Sequence, residues 1–69
     1  MTPAELNEIL ARLKIRHADL AVLGAVTPRC VHNWSSGHRP VPRPMAILLR
    51  AIDQNIIPDE WLFEQVATT

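Results

Sequence analysis

Almost nothing in these 69 residues can be crosslinked and little of the chain is aromatic: it has one cysteine, one phenylalanine, two tryptophans and no tyrosine. Cys30 alone cannot build an intramolecular disulfide framework, so packing must hold the fold, and a reducing cytoplasm is the expected setting. The core must be mostly aliphatic, because 48% of the residues are hydrophobic while so few are aromatic. No apolar run approaches the ~20 residues of a membrane span. The opening Met1-Thr2-Pro3-Ala4-Glu5 lacks the basic region and apolar core of a secretory leader. No repeat, linker or low-complexity segment interrupts the chain. These absences predict a small cytoplasmic helical domain with no membrane partner.

Acidic charge is missing where basic charge collects. The formal charge is zero, seven cations against seven anions. That balance alone argues against nucleic acid, since non-specific affinity is mainly phosphate neutralisation. The distribution argues the other way. Leu20 to Ile52 holds no acid but carries Arg29, Arg39, Arg43 and Arg50. From Asp53 onward there is no base, only Asp53, Asp59, Glu60 and Glu64. The first nineteen residues balance, Arg12, Lys14 and Arg16 against Glu5, Glu8 and Asp19. A basic middle and an acidic tail suggest one face turned to phosphate and one kept from it. The bland alternative is chance segregation in a short chain.

Helical spacing is what the chain does have. Thr2 caps, Pro3 suits the first helical position and Glu5 completes a capping box. Leu6, Ile9, Leu10 and Leu13 follow at i, i+3, i+4, i+7, which predicts a helix from Pro3 to about Leu13. Ile15 marks a short connection. A second helix is expected from about His17 to Gly24, poorly capped because Arg16 stands at its start, with Asp19 complementing its dipole. Thr27 caps a third helix with Pro28 first inside it; Val31 and Trp34 form its apolar face, and Ser35, Ser36 and Gly37 end it. His38 to Pro44 reads as an extended proline-rich connection. A fourth helix starts around Pro42 to Pro44 and runs to about Asp53, with Met45, Leu48, Leu49 and Ile52 on one face and Ile47 and Ala51 alongside. Pro58, Asp59 and Glu60 open a short fifth helix, in which Trp61, Leu62 and Val66 can pack and Phe63 sits at the margin. The expected fold is all-α, a five-helix compact single domain over 1–69, with 54–69 as a packing or dimerisation segment.

Asp19 to Trp34 is the most informative stretch. Leu20 and Ala21 give a short apolar face with a small residue where two helices can cross closely. A Gly-Ala-Val break and the Thr27-Pro28 helix start follow. Arg29, His32 and Asn33 are left pointing outward. This stretch resembles the helix-turn-helix of the Cro/C1-type (Xre-like) transcriptional regulators, and the likeness extends roughly from Leu6 to Ile52. It implies a lambda-repressor-like DNA-binding domain. One departure stands out. The family's turn reads Leu-Gly-Val-Ser with glycine in a left-handed conformation, whereas Gly24-Ala25-Val26-Thr27 puts glycine one place early and alanine in the turn. A left-handed alanine costs on the order of 1 kcal/mol against glycine, and Gly24 gives up a core side chain. Stability is expected to suffer more than the fold, because Val26, Thr27, Val31 and Trp34 stay in register.

The second helix of such a motif lies in the major groove and offers its N-terminal outward side chains to base edges. Counted from Thr27, the outward positions are Pro28, Arg29, His32, Asn33 and Ser36. Arg29 can take guanine O6 and N7 bidentately, and Asn33 can pair similarly with adenine. His32 can donate to an acceptor or meet a phosphate, and Pro28 can touch a thymine methyl. Phosphate contacts are expected from Thr27 and Ser36 and from Arg39 and Arg43 in the loop that the family lays along the backbone. Arg16 is expected to add one beside the amides of His17 and Ala18. Arg50, a turn or two into the fourth helix, could equally meet phosphate, pair with Asp53 or pair with a partner's acid. The bland alternative is that all of these are solvated polar residues on a surface helix.

One such domain buries only ~600–1,000 Å² on DNA, and two-fold dimers read inverted half-sites about one helical turn apart. The expected partners are therefore a palindromic double-stranded operator and a second copy of the chain. The apolar surplus of Ile47, Ile56, Ile57, Trp61, Leu62 and Phe63 is the natural dimer interface. Some of this surplus must complete the monomer's own core, Leu48 and Ile52 being the better core candidates. The resemblance implies a repressor, most simply an autorepressor from a phage or mobile element that occludes a promoter; compact antitoxins share this form. The rival reading is a protein-interaction module that has lost DNA and binds a partner through its carboxy-terminal helices. Cys30, His32 and His38 match no structural zinc spacing, because residues two apart on a helix point to different sides. A Cys-His nucleophilic pair fails on the same geometry. The sequence offers no oxyanion pocket, glycine-rich phosphate loop or paired catalytic carboxylates. No metal, cofactor or enzymatic activity is expected.

Overall fold

Five helices follow one another among the described residues of the computed structural model: α1 (Pro3–Leu13), α2 (His17–Gly24), α3 (Pro28–Ser36), α4 (Arg43–Asp53) and α5 (Asp59–Ala67). The described residues are 1–67, and no strand occurs among them. Of the expected packing segment 54–69, Thr68 and Thr69 lie outside the described residues. Among the described residues no helix is long and apolar enough to cross a membrane.

The all-α fold follows from where the apolar stripes go. α1 turns Leu6, Ile9 and Leu10 inward, α2 Leu20 and Ala21, α3 Val31 and Trp34, α4 Ala46, Leu49 and Ile52, and α5 Leu62. These side chains meet in a single core around which α1 packs on α3 and α4, α2 on α3 and α5, and α4 on α5. Leu49 is fully buried while Leu48 is half-buried, so α4 presents its stripe one residue round from the expected centre. Ile15, expected as a connection, is itself part of the core.

Three helix ends share one device. The N–H groups of Ile15, Val26 and Ile56 donate back to the carbonyls of Leu10 (2.9 Å), Ala21 (3.0 Å) and Ala51 (2.9 Å). Each closure requires the preceding residue to be left-handed, and Lys14, Ala25 and Asn55 have φ of 57°, 54° and 60°. Only asparagine among these tolerates that region well. Ala25→Gly should therefore raise stability by about 1 kcal/mol, visible as a thermal midpoint a few degrees higher by circular dichroism. An unchanged or lower midpoint would mean that the turn is not held left-handed in solution.

Gly24 is helical and does not leave a hole. A β-carbon there would lie 2.8 Å from the Met45 Cε methyl, so a flexible side chain of α4 fills the space that the glycine vacates. The expected loss of core at Gly24 is made good from another helix.

Two ion pairs clamp α1 to α4. Arg50 donates to Glu5 through Nε (2.9 Å) and a terminal nitrogen (3.1 Å), and Arg12 grips Asp53 in the same two-pronged way (2.8 and 2.9 Å). Arg50 thus pairs with Glu5, and Asp53, one of the partners open to it from the sequence, is taken by Arg12. Hydrogen bonding from Arg50 holds the Glu5 carboxyl below its ordinary range, and that from Arg12 does the same to Asp53. A carboxyl more acidic in the folded than in the unfolded state contributes stability above its unfolded pKa and loses it as pH falls through the folded value. The urea midpoint should accordingly hold from neutrality downward and then fall below about pH 4. The fall should be shallower in Glu5→Gln, and an identical profile in that variant would remove the pair from the account. The effect is modest because both pairs face water.

Candidate nucleic-acid interface

The sequence around α3 dictates how the helix is presented. Thr27 is extended (φ −83°, ψ 156°), and its Oγ1 accepts from the Cys30 N–H at 3.2 Å, with Pro28 opening the helix. At the other end Gly37 takes φ 87° and stops it. Val31, fully buried, and Trp34, 4% exposed, hold α3 against the core. With the apolar side so engaged, Pro28, Arg29 and His32 stand exposed and Asn33 is half-exposed.

The helix is fixed in pitch as well as in place. The Asn7 amide of α1 donates to the Ser35 carbonyl at 3.1 Å, and the Ser35 hydroxyl donates to Asn7 Oδ1 in return. The Arg39 N–H donates to the Asn33 carbonyl at 3.1 Å, which folds the following loop back alongside α3. Arg29, Asn33 and Arg39 thereby line one open groove of about 540 Å³, floored by Cys30 and Trp34. The Ser36 hydroxyl is engaged within the chain, 3.4 Å from the Asn33 carbonyl and 2.8 Å from His38 Nδ1. Arg43, expected in the loop, is the exposed first residue of α4.

Arg16 is differently placed. Its Nε lies 3.2 Å from Asp19 Oδ2, and its N–H donates to the same oxygen at 3.3 Å. No side chain caps the first amides of α2, as expected with Arg16 at the start; Asp19 answers only the Arg16 N–H. Hydrogen bonding from Arg16 also draws the Asp19 carboxyl below its ordinary range. A carboxylate at the N-terminus of α2, half-neutralising Arg16, makes the His17 and Ala18 amides a poorer phosphate seat than expected.

These pairings sharpen the charge pattern. Arg12, Arg16 and Arg50 are used within the fold. Among the described residues the lysine and arginine side chains without an ion pair are Lys14, Arg29, Arg39 and Arg43. Three of these four fall between the start of α3 and the start of α4. Among the described residues the acidic side chains without an ion pair are Glu8 and the α5 residues Asp59, Glu60 and Glu64.

The apolar surplus divides. Leu62, expected at a dimer interface, is 1% exposed and belongs to the core, because α5 turns it between α2 and α4. Ile57 is half-buried and packs on the same cluster. Ile47, Ile56, Trp61 and Phe63 remain at the surface, with Ile56 71% exposed. His17 and His32 come together across α2 and α3, their ring centres 6.3 Å apart. Sequence reasoning missed that approach, and no spacing could have signalled it, since helix packing creates it.

No protein-family model matches the chain, and no curated protein or solved structure matches it either.

Proposed function

We propose that this protein is a sequence-specific DNA-binding regulator of the Cro/C1 type that acts as a homodimeric repressor and reads an inverted repeat through α3. The observation that carries the reading is the exposure of Arg29 and His32, with Asn33 beside them, on a short helix anchored from behind by Val31 and Trp34. Arginine and asparagine are the residues that match guanine and adenine edges bidentately. Arg39 and Arg43 flank the helix as uncompensated cations and would neutralise phosphates on either side of the groove. The surface left by Ile47, Ile56, Trp61 and Phe63 would join two copies, so that two α3 helices address successive turns of the duplex. A cytoplasmic location accords with this role.

The test is a titration onto the DNA upstream of its own reading frame at several salt concentrations, with sedimentation to count the copies bound. A steep salt slope is expected. Arg29→Ala should relax specificity at one base position at about 1–3 kcal/mol, and Arg39→Ala should weaken all sequences alike. A second reading is favoured by the exposed Ile56 and the zero net charge: an interaction module, such as an antitoxin or adaptor, that binds protein through α4 and α5. Absence of DNA binding, or binding indifferent to Arg29, would decide for it.

A further inference from the structure

His17 is the first residue of α2, and His32 lies midway along α3. Their ring centres lie 6.3 Å apart, with the ring planes tilted by 54°. Neither ring makes a hydrogen bond among the described residues, whereas His38 is held by Ser36 at 2.8 Å. Unpartnered imidazole nitrogens on two rigid elements are ligands in waiting for borderline divalent ions.

We propose that His17 and His32 together bind a divalent transition-metal ion of the zinc, nickel and copper type, with water completing its coordination. A metal about 2.0–2.1 Å from a ring nitrogen stands roughly 3 Å from that ring's centre. An ion held at a tetrahedral angle sets two such ring centres about 5 Å apart, so the rings, 6.3 Å apart, must close by about 1 Å through side-chain rotation. His32 is exposed and His17 half-buried, so both can make that rotation. Among the described residues no third histidine, cysteine or acid joins them, which leaves an open site with two protein ligands.

The surrounding charge permits a cation. Arg16, next to His17, is paired with Asp19, whose carboxylate also offsets the positive end of α2. Arg29, one turn before His32 on α3, is the uncompensated cation on the same helix. Its removal should tighten metal binding. The ion would occupy the outward edge of His32, so in the DNA-binding reading, on which this second step rests, metal and DNA compete.

The test titrates tag-free protein with Zn²⁺ while recording the imidazole resonances. His17 and His32 should shift together and saturate at one ion per chain. His17→Asn and His32→Asn should each weaken binding at least tenfold, His38→Asn should leave it unchanged, and backbone spectra should confirm that all three remain folded. Shifts confined to Cys30 or His38, one ion per two chains, or an unaffected His17→Asn would overturn the site. Adding Zn²⁺ to the DNA titration should weaken binding in the native chain and not in His17→Asn. Undiminished DNA binding by the metal-loaded protein would overturn the second step. Failure to bind DNA at all would sink the functional reading and leave the metal result standing.

Discussion

Trp34→Ala is expected to unfold most of the protein at room temperature. The side chain is 4% exposed, packs between α3 and the core, and also floors the groove lined by Arg29 and Arg39. Truncating a buried tryptophan costs about 3–5 kcal/mol. In a domain this short a single core rarely supplies more than about 3–5 kcal/mol, so the loss consumes nearly all of it. The comparison that isolates burial is Trp61→Ala, because Trp61 is 37% exposed on α5. That variant should stay folded, with a change within about 1 kcal/mol. Urea unfolding followed by far-ultraviolet circular dichroism separates the two. Equal losses would mean that α5 is as much part of the anchor as α3. A stable Trp34→Ala would mean that α3 is not pinned from behind, and with it the presentation of Arg29 would fail.

Those two tryptophans also show what the sequence could and could not convey. Trp34 follows Val31 by three residues on a capped helix, so periodicity alone turns it inward. The helix boundaries are equally legible, because Thr2, Thr27, Pro3, Pro28 and Gly37 are local signals and local geometry obeys them. Leu62 is not legible. Its neighbours Trp61 and Phe63 are apolar too, and a run of three such residues on a short helix does not say which one the core will take. Only the docking of α5 on α2 and α4 decides that. Nor is the division of the arginines legible. Arg50 and Arg43 look alike in the sequence, yet one reaches back 45 residues to Glu5 and the other stays unpaired. Gly24 reads as a missing side chain because its filler, Met45, comes from a distant helix. Those three misses are tertiary contacts between residues far apart along the chain; Arg16, taken by Asp19 three residues on, is a local one.

The division of the arginines supplies the sharpest functional expectation. Replacing Arg29, Arg39 and Arg43 together by glutamine should all but abolish DNA binding. Each phosphate that is no longer neutralised should reduce the steepness of log affinity against log salt by about 0.9, so Arg39 and Arg43 account for a change of nearly two. Arg29 should contribute through bases instead, so restoring it alone should recover discrimination between operator and scrambled sequence without recovering the slope. Replacing Arg12, Arg16 and Arg50 changes net charge by the same amount and provides the control. Those three are already paired with Asp53, Asp19 and Glu5, so the control should lower stability and change the salt slope far less. If both triple variants flattened the slope equally, affinity would follow total charge rather than a built surface. The groove beside α3 would then have no special claim on the duplex.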